Sequence, residues 1–199
     1  ATNALNVAVG MDAGLKVTTG IQNTLIGAIA GDALTDADFN VALGVSSIAA
    51  DTLGSRSVAI GTNTLGTQNF TTATDTYNIA VGFSAGSSVT TGIQNTIIGG
   101  LAGDALTDAD FNVAVGKGAL STDTLGSRTV AIGQTALTAQ NFTTATDTYN
   151  VAVGFDAGVA VTTGIHNTII GGQAGDALTD ADFNIAIGKG ALSTDTLGS

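Results

Sequence analysis

Aspartate recurs in one short pattern, Asp-Ala-Asp, whose residue types could bind a cation. The pattern occurs three times and each time follows another aspartate four residues upstream: Asp32, Asp104 or Asp176. Calcium takes roughly six to eight oxygen ligands, and Asn40 or Thr35 with nearby carbonyls could complete such a set. The alternative is that aspartate occupies turns because it bonds its own backbone and keeps the chain soluble. The candidate calcium ligands are Asp36, Asp38, Asp108, Asp110, Asp180 and Asp182.

Catalytic chemistry has few residues to draw on. His166 is the only histidine, and it occupies a position filled by Gln22 and Gln94 in related stretches of the chain. Glutamate and cysteine are absent, and any aspartate pair recurs, whereas a catalytic site needs one concave pocket with perturbed groups. We therefore expect no catalytic residue, no cofactor other than calcium, and no enzymatic activity.

The composition favours strands joined by tight turns. There are 28 Gly, no Pro and no Cys, and good helix formers are outnumbered by Thr, Val, Ile, Asn and Gly. A hydrophobic content of 44% predicts an ordered apolar interior. The net charge of -11 disfavours nucleic acid as a partner. No apolar stretch reaches the roughly 18 residues that span a bilayer, so no membrane insertion is expected.

A strand-like motif ending in glycine recurs eleven times along the chain. The spacings between its closing glycines are 17, 17, 17 and 21 residues, and this series repeats as a 72-residue unit. We predict one repeat array over residues 1–199, excised from a longer array, with units 6–77, 78–149 and an incomplete 150–199. The closing glycines are Gly10, Gly27, Gly44, Gly61, Gly82, Gly99, Gly116, Gly133, Gly154, Gly171 and Gly188.

This periodicity predicts an all-β fold, a parallel β-solenoid or β-roll of about eleven coils. One coil of 17 residues cannot bury its own apolar face, whereas neighbours about 4.8 Å apart form a continuous hydrogen-bonded ladder. Each 21-residue coil adds a stretch, Gln68–Tyr77 or Gln140–Tyr149, that should form a longer loop. The aromatic residues directly before the motifs, such as Phe39 and Tyr77, are expected to cap the core at a corner.

The residue before the closing glycine and the residue two earlier are β-branched or Leu, and alternation places both on one face of the strand. We expect that face to line the coil interior, so that the middle residue of the motif points outward. An outward apolar stripe predicts contact with further copies of the chain. The alternative is that the middle residue lies inside a narrow coil, in which case a monomer would suffice. The expected oligomer interface is Ala8, Leu25, Ala42, Ala59, Ala80, Ile97, Ala114, Ala131, Ala152, Ile169 and Ala186.

Ser57–Gly61 and Asn167–Gly171, together with turns such as Thr90–Gly92, resemble the head repeats of trimeric autotransporter adhesins and the repeats of long phage tail fibres. The resemblance implies a parallel β-roll, three chains around one axis, and a location outside the cell, on a cell surface or on a virion surface. It also implies a role in reach or attachment. The coils of this chain are longer than those usual in adhesin heads.

Three functions follow as hypotheses. The first is a structural segment of an extracellular fibre, from a phage tail fibre or a bacterial surface adhesin, with this chain itself as partner in a homotrimer or an end-to-end fibre. The second is an ice-binding β-solenoid, although threonine pairs such as Thr18-Thr19 return once per unit and not in every coil. The third is a calcium-dependent glycan-binding fibre that uses its longer loops and its aspartate turns. A host-surface receptor or a glycan is the expected partner outside the chain itself.

Overall fold

The computed structural model describes residues 4–197, and residues 1–3 and 198–199 of the predicted array lie outside the described residues. The described chain winds into a parallel β-solenoid of eleven coils and contains no helix over residues 4–197. The predicted fold is therefore confirmed.

One eleven-stranded parallel sheet runs the length of the solenoid, with one strand from each coil. Neighbouring strands pair without a register shift, so that equivalent residues of successive coils stack directly, as Ala42 does on Ala59. Two short pairs join β4 (Gly54–Ser55) to β6 (Thr74–Asp75) and β10 (Gly126–Ser127) to β12 (Thr146–Asp147). The strands of the long sheet are β1 (Val7–Val9), β2 (Thr24–Ile26), β3 (Val41–Leu43), β5 (Val58–Ile60), β7 (Ile79–Val81), β8 (Thr96–Ile98), β9 (Val113–Val115), β11 (Val130–Ile132), β13 (Val151–Val153), β14 (Thr168–Ile170) and β15 (Ile185–Ile187).

The closing glycines end these strands and stack on one another. Gly116 has a φ of 136°, a conformation that side chains rarely allow. A Cβ atom built on Gly116 would lie 2.3 Å from the carbonyl oxygen of Gly133 in the next coil. Both the backbone conformation and the close approach therefore require glycine at this position.

The predicted facing of the strands is wrong. The middle residue of each motif points into the coil: Ala42, Ala59 and Ala114 are fully buried within a single chain, and Ala8 is exposed because no described coil precedes its own. The residues on either side point outward instead. The physical reason is that the coil is too narrow to accept two columns of Val and Ile. The column expected to form the oligomer interface therefore lies in the inner core at every member except the exposed Ala8: Ala8, Leu25, Ala42, Ala59, Ala80, Ile97, Ala114, Ala131, Ala152, Ile169 and Ala186.

Interior volume is shared between two columns. Where the middle residue is large, as at Leu25, the residue four after the closing glycine is glycine, and a Cβ atom on Gly31 would lie 2.8 Å from side-chain carbons of Leu25 and Leu34. Where the middle residue is alanine, as at Ala42, the residue four after the closing glycine can be large, such as Ile48, which is fully buried. The core thus fills by exchange of volume between columns, as close packing requires.

A ladder of buried polar side chains crosses each coil beside this core. The Nδ2 atom of Asn23 donates to the carbonyl oxygen of Ala37 at 2.7 Å, and its Oδ1 atom accepts from the backbone N–H of Asn40 at 2.9 Å. Asn40 repeats both contacts, with the carbonyl of Gly54 and the N–H of Ser57. Each amide therefore ties the two ends of its own coil together and also joins its coil to the next.

The ladder is interrupted once per unit, where Ser57 or Thr129 replaces asparagine. At Thr129, the side chain of Gln140 fills the gap: its Nε2 atom donates to Thr129 Oγ1 at 3.0 Å and to Asp123 Oδ2 at 2.6 Å, and its Oε1 atom accepts from Asn150 at 2.8 Å. Asp123 Oδ1 accepts from the N–H of Phe142 at 2.9 Å. Asp51 and Gln68 form the same arrangement, so the predicted longer loops are anchored at their first residues and project only at their tips.

We predict that Gly116→Ala destabilises the solenoid by about 3 kcal/mol or more, because the new Cβ atom meets the next coil in a backbone conformation reserved for glycine. Gly100→Ala is the control, since a Cβ atom there meets no atom within 4 Å, and it should change stability by less than about 0.5 kcal/mol. Urea unfolding of both variants measures the difference. Equal stabilities would contradict this account of the glycine stack.

A second prediction concerns the buried amide. Gln140→Glu would place a carboxylate in van der Waals contact with Asp123, and like charge at such a distance raises the pKa of the introduced group. The introduced glutamate has a pKa of about 4.3 in the unfolded chain and a higher pKa in the folded chain. The variant therefore keeps its stability below about pH 4.3 and loses stability as the pH rises through the pKa of the folded state. We expect a loss of about 3 kcal/mol at pH 8 and little loss at pH 4. Asn141→Asp, at the exposed neighbouring position, is the matched control in urea unfolding and should show no such pH dependence.

Candidate functional surfaces

The Asp-Ala-Asp turns link neighbouring coils. Asp36 Oδ1 accepts from the hydroxyl of Thr19 at 2.5 Å, and Asp38 Oδ1 accepts from the N–H of Ile21 at 2.8 Å. Asp108 and Asp110 repeat these contacts one unit later, and Asp182 accepts from Ile165. Asp180 lies exposed at the position equivalent to Asp36. Five of the six turn carboxylates therefore bond the preceding coil, whereas the alternative interpretation of the sequence expected aspartate to bond its own backbone.

The upstream aspartates differ from the turn aspartates. Asp104 and Asp176 each have a buried Oδ1 atom without a hydrogen-bond partner. Burial raises the pKa of Asp104, and burial also raises the pKa of Asp110 against the opposing effect of the Ile93 N–H. Over residues 4–197, no three carboxylate or imidazole groups lie close enough together to hold a metal ion.

The residues directly before the ladder position form an exposed stripe along one edge of the long sheet, which we name the leading column. They do not cap the core, contrary to the sequence prediction: Phe39 is 38% exposed and Tyr77 is 52% exposed. All members adopt positive φ. The leading column consists of Leu5, Gln22, Phe39, Arg56, Tyr77, Gln94, Phe111, Arg128, Tyr149, His166 and Phe183.

Side chains of the leading column stack on one another along the rod. His166 lies between Tyr149 and Phe183, with ring centroids 5.2 and 4.8 Å away and nearly parallel planes. Arg56 covers the ring of Phe39, 4.6 Å from its centroid, and pairs with Asp75 at 2.9 Å. Arg128 repeats both contacts with Phe111 and Asp147. Each of these rings thus has a stacking partner within the chain.

The outer face of the long sheet is apolar along its whole described length. Its two outward columns, the first and third residues of each strand, hold only Val, Ile and Leu apart from Thr24, Thr96 and Thr168. Exposure is not confined to the end coils, since Leu43 is 42% exposed and Ile98 is 38% exposed. Sequence reasoning assigned these columns to the interior. One pattern in the sequence could have shown that these columns point outward. A large middle residue always occurs with glycine four residues after the closing glycine, so the two positions share one interior space.

The opposite edge of the outer face is formed by the residues directly after the closing glycines, which we name the trailing column. Its largest members, Phe83 and Phe155, are 63% and 51% exposed. Four of the five Lys and Arg residues belong to the two edge columns: Arg56 and Arg128 to the leading, Lys117 and Lys189 to the trailing column. The trailing column consists of Met11, Ala28, Val45, Thr62, Phe83, Gly100, Lys117, Gln134, Phe155, Gly172 and Lys189.

A third column, eight residues after each closing glycine, holds threonine in nine coils and asparagine in two. Sequence reasoning found threonine pairs once per unit and missed this column, which only the eight-residue offset identifies. Its hydroxyl groups bond the next coil, as Thr18 does with the carbonyl of Thr35 and Thr107 with that of Thr124. The column members are Thr18, Thr35, Thr52, Asn69, Thr90, Thr107, Thr124, Asn141, Thr162, Thr179 and Thr196.

Across residues 4–197 the surface has no pocket, and no helix in that range is long and apolar enough to cross a membrane. The most extensive candidate for recognition is therefore a surface, the outer face with its two edge columns. Comparison of the chain with family models, with curated protein sequences and with solved structures finds no match.

Proposed function

We propose that this chain is a non-catalytic structural segment of an extracellular fibre, in which copies of the chain associate side by side through the outer face of the long sheet. The observation that carries the proposal is the unbroken apolar outer face. The resemblance of the strand motifs to adhesin head repeats and phage tail fibre repeats supports three chains and a position on a cell or virion surface.

The size of the outer face supports a stable assembly. Eleven strands at about 4.8 Å extend it over roughly 50 Å, and the seven residues from leading to trailing column make it about 20 Å wide. The resulting area of about 1000 Å² compares with about 800 Å² that each partner buries in a standard interface. Contiguous apolar patches larger than a few hundred Å² are rare on monomers. A second copy of the chain presents an apolar face of matching length.

The distribution of charge favours the same surface. The two outward strand columns hold no charged residue, although the chain carries a net charge of -11. The turn aspartates lie elsewhere on the coil, so association through the outer face does not bury them. Cations are concentrated at the edges of the face, where they oppose the repulsion between chains of like charge.

The solenoid does not need the outer face for its own core, which supports a role for that face in contact with another molecule. Coil closure depends on the inward columns and on the ladder that begins with Asn23 and Asn40. The nearly identical 72-residue units suit a fibre, because each adds four coils, about 19 Å of length, with the same side faces. The exposed loop tips, 71–73 and 143–145, recur at that interval and are our proposed points of attachment to a surface receptor.

The two other hypotheses receive less support from the geometry. Ice binding would use the regular threonine column, but several of its hydroxyl groups donate to the next coil, as at Thr35 and Thr179. Calcium-dependent glycan binding would use the turn carboxylates and the longer loops, but Asp36 already accepts from the hydroxyl of Thr19 and Asp38 from the N–H of Ile21. The fibre proposal accounts for the outer face, which neither alternative uses.

The first test is sedimentation equilibrium of the chain at micromolar concentration, with and without a calcium chelator. We expect a trimer whose mass is unchanged by the chelator, because the apolar outer face and not a cation drives association. A monomer under these conditions would contradict the fibre proposal. A trimer that dissociates on chelation would instead support the calcium hypothesis.

A substitution on the outer face should separate association from folding. Ile98→Asp places a charge on the face without touching the core, so we expect a folded chain that sediments as a monomer, with affinity reduced at least 100-fold. Thr71→Asp, at an exposed loop tip, adds the same charge away from the face and should remain a trimer. Far-ultraviolet circular dichroism checks that both variants fold. An Ile98→Asp chain that still forms trimers would exclude the outer face as the interface.

A further inference from the structure

We propose that the copies associate in parallel and in register, so that the leading column of one copy contacts the trailing column of the next copy at the same coil. This inference rests on the proposed side-by-side association and assigns its two edges a specific partner. The two edge columns would then form recognition surfaces that set the register of the fibre.

Rotational symmetry brings opposite edges of neighbouring copies together. All eleven strands run in one direction, so each strand begins at the leading column and ends at the trailing column. Rotation of a copy about an axis parallel to the rod carries the leading edge of one chain to the trailing edge of its neighbour, and a closed ring involves no shift along the axis. A two-fold axis across the rod would instead bring like columns together.

The side chains on the two edges fit this arrangement. At the same coil, Tyr77 of one copy meets Phe83 of the next, two exposed aromatic residues of opposite edges. Tyr149 and Phe155 repeat this pair one unit later. Where the trailing residue is Gly100, the leading residue is Gln94, whose long side chain can cover the glycine. The match therefore recurs with the 72-residue unit.

Charge opposes some of the shifted registers. A shift of three coils would place Arg56 beside Lys117 and, one unit later, Arg128 beside Lys189. Like charges at an interface are unfavourable, so the edge columns exclude that register. Both the closed ring and the side-chain pairs therefore favour copies that are not shifted relative to one another along the rod.

Disulfide trapping tests the register, and the chain offers a clean background because it has no cysteine. The matched variant is Gln94→Cys with Gly100→Cys, since Gln94 is exposed and Gly100 has open space for a side chain. Within one chain these residues lie about 20 Å apart along an extended strand, which a disulfide cannot bridge. The control is Gln94→Cys with Gly172→Cys, which pairs the same residue types four coils apart.

After oxidation, we expect the matched variant to run on non-reducing gels as cross-linked oligomers, with a cross-linked fraction at least fivefold above that of the control. Cross-links in the control alone would show a stagger of one unit, and cross-links in the single Gln94→Cys variant would show that leading columns meet each other. Either result would overturn the inference. Sedimentation equilibrium of the reduced protein separates the two proposals: a monomer contradicts the fibre proposal, whereas an oligomer without matched cross-links contradicts only the register.

Discussion

The close approach of successive coils at the closing glycines is the constraint on which the rest of the solenoid depends. A Cβ atom on Gly44 would lie 2.3 Å from the carbonyl oxygen of Gly61, so the backbones touch at a distance that no other residue permits. This contact holds the coils in the vertical register that the sheet and the Asn23 ladder use. The stacked coils also hold residues in unfavourable backbone conformations: Ile29 and Ile48 adopt φ values near 50°, which cost of order 1–3 kcal/mol each and persist only where the surroundings impose them.

Because the coils stack so closely, their interior is narrow and each coil must fit the side chains of its neighbours. This requirement explains why the repeat has four coils and not one. A coil with a large middle residue, such as Ile97, needs glycine at Gly103, and a coil with alanine in the middle and glycine four residues after the closing glycine needs neighbours that fill its space. Gly86 shows the second case, since a Cβ atom there would lie 2.9 Å from Ile97 of the next coil and 3.1 Å from Leu65 of the preceding one. Side chains therefore cross between coils, and the pattern closes on itself only after four coils of different composition.

The fold could be predicted from the sequence because its cause is visible there: glycine at a fixed spacing, with β-branched residues before it, is typical of strands stacked in successive coils. The facing of the strands could not. Alternation divides a strand into two faces but does not say which face is inside, and the larger residues were assigned to the core by the usual rule that burial favours them. That rule fails here because the coil is narrow, so Ala59 lies inside while Val58 and Ile60 point outward. The edge columns were missed for a related reason, since their members, such as Tyr77 and Gln94, share a position and not a residue type.

The outer face of the long sheet differs in composition from the edge columns on either side of it. Positions on the edge columns vary widely, from Gly100 to Phe83. The outward strand positions vary only among Val, Ile, Leu and Thr, although water allows many other side chains there and β propensity alone distinguishes residues by no more than about 1 kcal/mol. Exposed apolar columns bring no core stability to a single chain and create a risk of aggregation. The proposed association of copies through the outer face would account for the restriction to these four residue types in all eleven strands, because it would cover these apolar side chains.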